Sequence, residues 1–131
     1  MTVRDTARAR PTRQELGRAL RASGALGQAW VPAFEAVDRA AFLPDVMWPY
    51  DMATGASATV DRRTDPDAWF ACADRDVPIT TQWDDGAHEG PAPGRVATSS
   101  SSMPSVVFRM LDDLALVLAV GTPSQEVRGE H

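Results

Sequence analysis

The amino-acid sequence predicts an α+β fold, in which a helical N-terminal region is followed by a short β-hairpin and a strand-like segment near the C-terminus. Three observations support this prediction. Thr12 and Glu15 complete the S/T-x-x-E pattern of a helix start, residues 77–83 alternate and are rich in β-branched side chains, and residues 114–120 are all apolar. The length of 131 residues allows one ordinary domain with a small core.

The first helix is predicted over residues 13–23, with residues 1–12 forming a flexible basic tail. The hydroxyl of Thr12 and the carboxylate of Glu15 should satisfy each other's backbone N–H groups at its start. Leu16, Ala19 and Leu20 supply an apolar stripe. Gly24 stands where a left-handed residue is expected to end the helix.

A second helix is predicted over residues 29–39. Its apolar side chains recur at intervals of three and four residues, and Pro32 is tolerable only in the first turn. The two helices should pair through their apolar faces. The apolar positions of this second helix are Trp30, Ala33, Phe34 and Val37.

Residues 44–76 are predicted to be mostly loop, because Pro49, Gly55, Pro66 and several aspartates interrupt any period. Residues 77–83 should form a strand, which Pro78 places toward a sheet edge. Residues 84–93 are rich in turn formers and residues 95–98 can return as the second strand of a hairpin.

Residues 99–102 are four serines, a composition also found in flexible linkers. They are followed at once by a helix start, since Pro104 suits the first helical position and Ser102 can cap it. A third helix is therefore predicted over residues 104–113. Its apolar face is expected to consist of Val106, Val107, Met110, Leu111 and Leu114.

The apolar run of residues 114–120 ends in Gly121-Thr122. In an α/β protein this pattern is typical of the first buried parallel strand of a nucleotide-binding fold. A parallel strand needs a crossover connection and a neighbour, so the sheet is expected to be incomplete in this chain. The unpaired segment Leu116 to Val120 is then a possible surface for association.

Charge and cysteine content argue against some classes of function and some cellular locations. The formal charge of −5 and the pI near 4.9 argue against a protein that mainly binds nucleic acid or anionic lipid. The six arginines of residues 1–21 can be a basic arm, although a solvated tail and helix face is the simpler interpretation. A lone Cys72, with no signal peptide or membrane-length apolar run, favours a cytoplasmic location.

One cluster could be imagined as a metal site, although no bound metal is predicted. It lies in a loop rich in glycine and proline and lacks the spacing of zinc or calcium motifs. A solvated loop is therefore the preferred interpretation. The cluster consists of Asp84, Asp85, His88 and Glu89.

Three segments carry a family resemblance. Residues 37–44, VDRAAFLP, resemble the V-P-R-x-x-F-V-P motif of protein-L-isoaspartate O-methyltransferases, in particular the actinobacterial variants. Pro49-Tyr50-Asp51 is similar to the family's A-Y-x-D neighbourhood. Residues 100–111, SSSMPSVVFRML, resemble T-I-S-Q-P-x-x-V-A-x-M-L. The resemblance covers about residues 13–122.

The resemblance implies a site and a cofactor. Ser102 matches the serine that lies beside the isoaspartyl carboxylate in the active site, and the following strand would open a Rossmann-like domain that binds S-adenosylmethionine. Residues 117–126 compare with the donor loop V-L-E-I-G-T-G-S-G-Y, of which Gly121 and Thr122 are a remnant. Pro123 and Gln125 replace two glycines, so this chain is expected to bind no donor.

The preferred hypothesis is a truncated member of this family that is catalytically inactive alone and whose partner is a peptide or protein carrying isoaspartate or aspartate. Residues 13–113 would be its substrate-side region, and residues 114–131 the remnant of the first strand and donor loop, followed by a disordered tail. Two alternatives stay open. One is a non-enzymatic module that binds a peptide or a partner, and the other is an unrelated small structural α+β domain.

Overall fold

The computed structural model describes residues 10–114. In this part of the chain, helices pack beside a sheet of five antiparallel strands in the order β2-β1-β4-β5, with β3 also paired to β1. The α+β class predicted from the sequence is confirmed. The elements are α1 (Pro11–Ala22), a 3₁₀ turn (Gln28–Trp30), α2 (Val31–Ala36), a 3₁₀ turn (Arg39–Phe42), β1 (Val46–Asp51), β2 (Ala56–Ser57), β3 (Val60–Asp61), α3 (Pro66–Ala73), β4 (Ile79–Trp83), a 3₁₀ turn (Asp84–Gly86), β5 (Ala97–Ser101) and α4, described over residues 104–114.

Helix α1 begins two residues before its predicted start, within the segment predicted to be a flexible tail. Pro11 occupies the first turn, and no side chain caps the helix. The predicted capping box is therefore wrong: Thr12 donates its hydroxyl proton to Asp74, 2.6 Å away, instead of capping the backbone. The predicted end is confirmed, because Gly24 adopts a left-handed φ of +81°.

The second predicted helix is shorter than expected. Pro32 lies in the first turn of α2, as predicted, but the helix ends at Ala36 and Val37 is extended. Asp38 explains the break, because its carboxylate accepts a hydrogen bond from the N–H of Ala40 and starts the 3₁₀ turn. A side chain that bonds its own backbone competes with helix continuation.

The prediction of loop over residues 44–76 is wrong. Strands β1 to β3 and helix α3 occupy most of this segment. Pro49 lies within β1, and Gly55, with a φ of +73°, forms the turn that leads into β2. Helix α3 starts at Pro66, where Asp65 accepts a hydrogen bond from the N–H of Ala68.

The predicted hairpin is confirmed, but not its place in the sheet. Strand β4 pairs with β1 on one side and β5 on the other, so it is central and not at an edge. Pro78 precedes the strand, and its carbonyl still accepts a hydrogen bond from Tyr50 at 3.0 Å. The serine run forms the end of β5 up to Ser101 and is not a linker.

Two apolar clusters form the core. One surrounds Trp69, Met47 and Ile79, which are fully buried between the sheet and α3. The other lies between α1 and the segment after it and includes Leu16, Leu20, Ala25 and Leu26, with Phe34 and Phe108 packed against it.

Helix α4 confirms the third predicted helix, but a different side of the helix faces the core than predicted. It contacts the second cluster through Phe108, whose ring centroid lies 6.0 Å from that of Phe34. Most of the predicted apolar face is exposed instead. The exposed members are Val106, Val107, Met110 and Leu114.

The segment predicted as a strand starts inside this helix, since Leu114 is helical. The rest of that prediction, Leu116 to Val120 with Gly121 and Thr122, lies outside the described residues. No helix within residues 10–114 is long and apolar enough to cross a membrane.

Candidate functional site

The three segments that carry the family resemblance meet at one end of the sheet. Pro49 in β1 pairs with Ile79 at the start of β4, and Ile79 pairs with Ser101 at the end of β5. Tyr50 lies one residue further along β1 and is partly exposed. Arg39, from the first segment, reaches across to Ser101 and Ser102.

Arg39 connects these elements through its guanidinium group. Its Nε donates to the Ser101 hydroxyl at 2.9 Å, and Nη2 donates to the carbonyl of Val77 at 2.7 Å. Nη2 also contacts the carbonyls of Ser101 and Ser102, both at 3.2 Å, while Nη1 donates to the carbonyl of Arg75 at 3.1 Å. One side chain therefore fixes the position of the 3₁₀ turn relative to β5 and the start of β4.

Burial of Arg39 lowers the pKa of its guanidinium group to about 10, because desolvation disfavours the charged form more than the negative charges of Asp76 and Asp74 favour it. The group stays cationic at neutral pH. Within residues 10–114 no carboxylate lies within 4.0 Å of it in an ion pair. This positive charge is held mainly by neutral carbonyl groups.

Ser102 lies beside this group, but it does not cap α4 as predicted. Asp76 provides the cap, since its carboxylate accepts a hydrogen bond from the N–H of Ser105 at 2.8 Å. Ser102 is exposed, and its hydroxyl makes no hydrogen bond within the described part of the chain. The serine that the resemblance assigns to substrate contact is thus accessible to solvent.

Replacing Asp76 with alanine should lower the free energy of unfolding by about 1 kcal/mol, because the N–H of Ser105 loses its acceptor. Urea denaturation followed by circular dichroism measures this loss. Asp113→Ala is the matched control, since it removes an exposed carboxylate from the same helix about two turns beyond its first N–H groups. An equal loss in both variants would contradict the role of Asp76.

A second polar cluster anchors the start of α1. Arg10 forms two hydrogen bonds with Asp38, at 2.9 and 3.0 Å, and two with Asp74, at 2.6 and 2.8 Å. The guanidinium group also lies 4.7 Å from the ring centroid of Phe70. Burial works against the charge of Arg10, but the hydrogen bonds and charges of Asp74 and Asp38 outweigh it and raise its pKa. The Arg10 guanidinium group is thus engaged by two carboxylates of the same chain, so we interpret this cluster as structural.

Arg13 lies beside that cluster and ties α1 to the end of α2. Its guanidinium group hydrogen-bonds the carbonyls of Phe34 and, at 3.2 Å, Val37. Asp38 lies 3.5 Å away. The basic stretch of the sequence is thus partly internal, which argues against its interpretation as a free basic arm at these positions.

Stability is expected to fall in acid through Asp38. Burial alone would raise the pKa of Asp38, but the hydrogen bonds from Arg10 and from the N–H of Ala40, with the charges of Arg10 and Arg13, lower it below 3.8. A carboxyl group with a lowered folded-state pKa stabilises the fold above its unfolded-state pKa and loses this contribution as the pH falls through the folded-state value. The free energy of unfolding should therefore be level from neutral pH to about pH 5 and decrease below about pH 4.

Urea titrations across that pH range test the expectation, with Asp38→Asn as the comparison. The substitution should flatten the acid branch of the curve. An acid branch unchanged by Asp38→Asn would contradict the assignment.

The acidic loop does not form a metal centre in the structure. Within the described residues, no group of three or more His, Cys, Asp or Glu side chains is placed to hold a metal ion. His88 instead contacts the carbonyl of Ala92 at 2.6 Å and packs edge-on against Trp48. Cys72 is buried in the core, and this burial raises the pKa of its thiol, as suits a packing role.

Sequence reasoning did not identify Arg10, Asp74 and Asp76 as functional or structural centres. Each acts through partners 28 to 64 residues away in the chain, a separation at which no local spacing pattern exists. Comparisons with models of known protein families, with curated proteins and with solved structures found no match. The arrangement around Arg39 and Ser102 is therefore interpreted from its own geometry.

Proposed function

We propose that residues 13–113 form the substrate-side region of a protein-L-isoaspartate O-methyltransferase-like protein. In intact relatives, as the resemblance implies, a methyl group passes from S-adenosylmethionine to a peptide carboxylate. One observation supports this assignment above the others: Arg39 of the first motif donates to the carbonyl of Ser102 of the third, 3.2 Å away. A fold in which Ser102 lay far from residues 39–44 would instead have favoured the unrelated structural domain.

Methyl transfer to a carboxylate mainly requires that the protein position the two reactants. A peptide carboxylate is already ionised and nucleophilic at neutral pH, so catalysis consists mainly in holding it against the donor's methyl group and excluding water. Ser102 can donate a hydroxyl proton to such a carboxylate. The cationic Arg39 nearby favours negative charge at this end of the sheet.

Asp76 limits how much the N–H groups at the start of α4 can contribute to binding a substrate carboxylate. Its carboxylate already accepts from the N–H of Ser105, which in an uncapped helix would be available to an anion. A substrate carboxylate would therefore depend on the hydroxyl of Ser102 more than on that N–H group.

The donor side is proposed to be non-functional in this chain. Pro123 removes an N–H and fixes φ, and Gln125 adds a side chain where the family's loop has glycine. We therefore propose that the chain by itself neither binds S-adenosylmethionine nor transfers its methyl group. A Rossmann-like relationship of the segment after α4 and a cytoplasmic location are parts of the same proposal.

Calorimetry and a methylation assay test the proposal together. An isoaspartyl peptide should release heat on binding, whereas S-adenosylmethionine should not, and no methyl ester should form above the level without protein. Tight donor binding or methyl transfer would contradict the proposed inactivity. Absence of heat with isoaspartyl and aspartyl peptides alike would contradict peptide recognition and favour an unrelated structural domain.

Replacing Ser102 with alanine should weaken binding of the isoaspartyl peptide about tenfold, since a hydrogen bond to a charged group contributes about 1.5 kcal/mol. Stability should not change, because the side chain is exposed. Ser100→Ala is the matched control, as it removes another exposed hydroxyl from the same serine run. Equal affinity of the two variants would exclude Ser102 from the site.

The exposed face of α4 favours a second candidate, a non-enzymatic partner module. Four large apolar side chains lie uncovered along that helix within the described part of the chain, and contiguous apolar surface often marks an interaction site. Met110 is the most exposed of them, at 64%. Co-elution with an intact methyltransferase that is lost in Met110→Asp would support this candidate, and elution apart from it would contradict it.

A further inference from the structure

The connection between β4 and β5 contains a strained aspartate followed by glycine. Asp84 and Asp85 have φ values of +51° and +54°, and Gly86 has +88°. Left-handed backbone is uncommon for residues with a side chain and costs about 1 kcal/mol or more at each. The strain is therefore concentrated on two successive aspartates.

Asp85 differs from three other aspartates of the loops and turns, Asp51, Asp61 and Asp84, in how its carboxylate is held. The carboxylate of Asp84 accepts hydrogen bonds from the N–H groups of Arg95 and Val96, at 3.2 and 2.9 Å. Asp51 and Asp61 likewise accept from backbone N–H groups, as in the bond from Ala53 to Asp51 at 2.8 Å. The side chain of Asp85 is exposed, and its carboxylate accepts no hydrogen bond within residues 10–114.

The residue after Asp85 is the one that hinders a backbone reaction least. Gly86 has no Cβ, so its nitrogen can approach a neighbouring carboxyl carbon without a side chain in the way. The pair is the only Asp-Gly in the sequence, and the sequence contains no asparagine. Chemistry at the aspartyl peptide bond is thus directed to one position.

We propose that Asp85 is a site of spontaneous isomerisation to isoaspartate. The nitrogen of Gly86 attacks Cγ of the protonated Asp85 carboxyl group and the N–Cγ bond forms. The Cγ–OH bond breaks, and the hydroxyl group leaves with the amide proton as one water. The resulting succinimide is reopened by water. Addition at the former main-chain carbonyl breaks its bond to the Gly86 nitrogen, so the chain then runs through Cβ and Cγ.

This sequence of steps balances without any other reactant. One water is lost and one is regained, nothing is oxidised or reduced, and the product has the mass of the starting protein. Ring closure requires the turn over residues 84–86 to open transiently, and an exposed turn is where such local opening is least costly. The proposal is independent of the proposed function, since it needs only water.

Isomerisation would alter the hairpin. Asp85 donates its N–H to the Thr98 hydroxyl at 3.0 Å, and Asp84 donates to the carbonyl of Val96 at 2.7 Å. An additional main-chain atom at Asp85 displaces the first of these contacts and loosens the start of β5. Protection of the amide hydrogens of β5 against exchange should fall in the isomerised fraction.

The full chain, incubated at physiological temperature and neutral pH, tests the proposal. After proteolysis, isoaspartate at Asp85 appears as a second chromatographic peak of equal mass that resists cleavage by an aspartate-directed protease. It should accumulate several-fold faster than at Asp51, Asp61 or Asp84. Accumulation at equal rates at all four positions would overturn the proposal.

Two substitutions sharpen the result. Asp85→Glu retains the charge but cannot close a five-membered ring, so the second peak should disappear. Asp85→Asn retains the ring chemistry with ammonia as the better leaving group, so isoaspartate should form faster than in the unsubstituted chain. A second peak that persists in Asp85→Glu, or a rate that does not rise in Asp85→Asn, would also overturn it.

Discussion

Replacing Asp74 with alanine is expected to lower the free energy of unfolding by about 3–5 kcal/mol, because it removes one partner of a buried ion pair and leaves the other charged. The side chain of Asp74 is 2% exposed and that of Arg10 is 11% exposed. Truncation takes away the two hydrogen bonds that Asp74 accepts from Arg10 and the one that it accepts from Thr12. A loss of this size is a large part of the stability of a small domain.

Urea denaturation of the Asp74→Ala variant measures the change, with the slope of the transition showing whether unfolding stays two-state. Arg63→Ala is the control, since it breaks an ion pair with Asp61 in which the arginine side chain is 67% exposed. Exposed pairs contribute little, so its midpoint should barely move. A similar small shift in both variants would show that Asp38 alone suffices to hold Arg10.

The sequence predicted best what local patterns determine. The left-handed Gly24, the first turn at Pro32 and the hairpin predicted from residues 77–83 and 95–98 all follow from local patterns, although the second strand lies slightly later, over Ala97–Ser101. Residues 44–76 are predicted as loop because proline and glycine, here Pro49 and Gly55, usually interrupt regular structure. In the structure Pro49 lies inside a strand and Gly55 in its turn, and pairing of that strand with β4, far along the chain, leaves no local pattern that would predict it.

The cap of α4 shows the same limit at the candidate site. Ser102 has the residue type and position of a cap, so local preference favours it. Asp76 provides the cap because the start of β4 passes next to the start of α4, a contact between residues 29 apart. The resemblance predicts a site at Ser102 and local preference predicts a cap, but neither predicts that its hydroxyl makes no hydrogen bond within the described residues.

Replacing Arg39 with methionine is expected to lower the free energy of unfolding by about 3 kcal/mol, since the part-buried carbonyl groups of Val77 and Ser101 lose this donor and each unsatisfied group costs about 1–3 kcal/mol. Methionine retains much of the apolar stem and so separates lost hydrogen bonds from lost packing. Lysine retains the charge but not the planar fork of donors, so Arg39→Lys should be less damaging than methionine and still clearly destabilised.

Arg75→Met is the matched control for this experiment. It removes an exposed guanidinium group and leaves in place the Arg75 carbonyl that Arg39 contacts at 3.1 Å. Its denaturation midpoint should stay close to that of the unsubstituted chain. Equal losses for Arg75→Met and Arg39→Met would mean that net charge, and not the hydrogen bonds of Arg39, holds this end of the sheet together.

The Arg39→Lys variant separates a structural role of Arg39 from a role in positioning Ser102. Under conditions where Arg39→Lys remains fully folded by circular dichroism, its affinity for an isoaspartyl peptide should still fall, because the loop that carries Ser102 has lost part of its anchor. Calorimetry on that variant and on Ser102→Ala gives the comparison. If Arg39→Lys binds peptide as tightly as the unsubstituted chain while Ser102→Ala does not, Arg39 stabilises the fold without positioning Ser102.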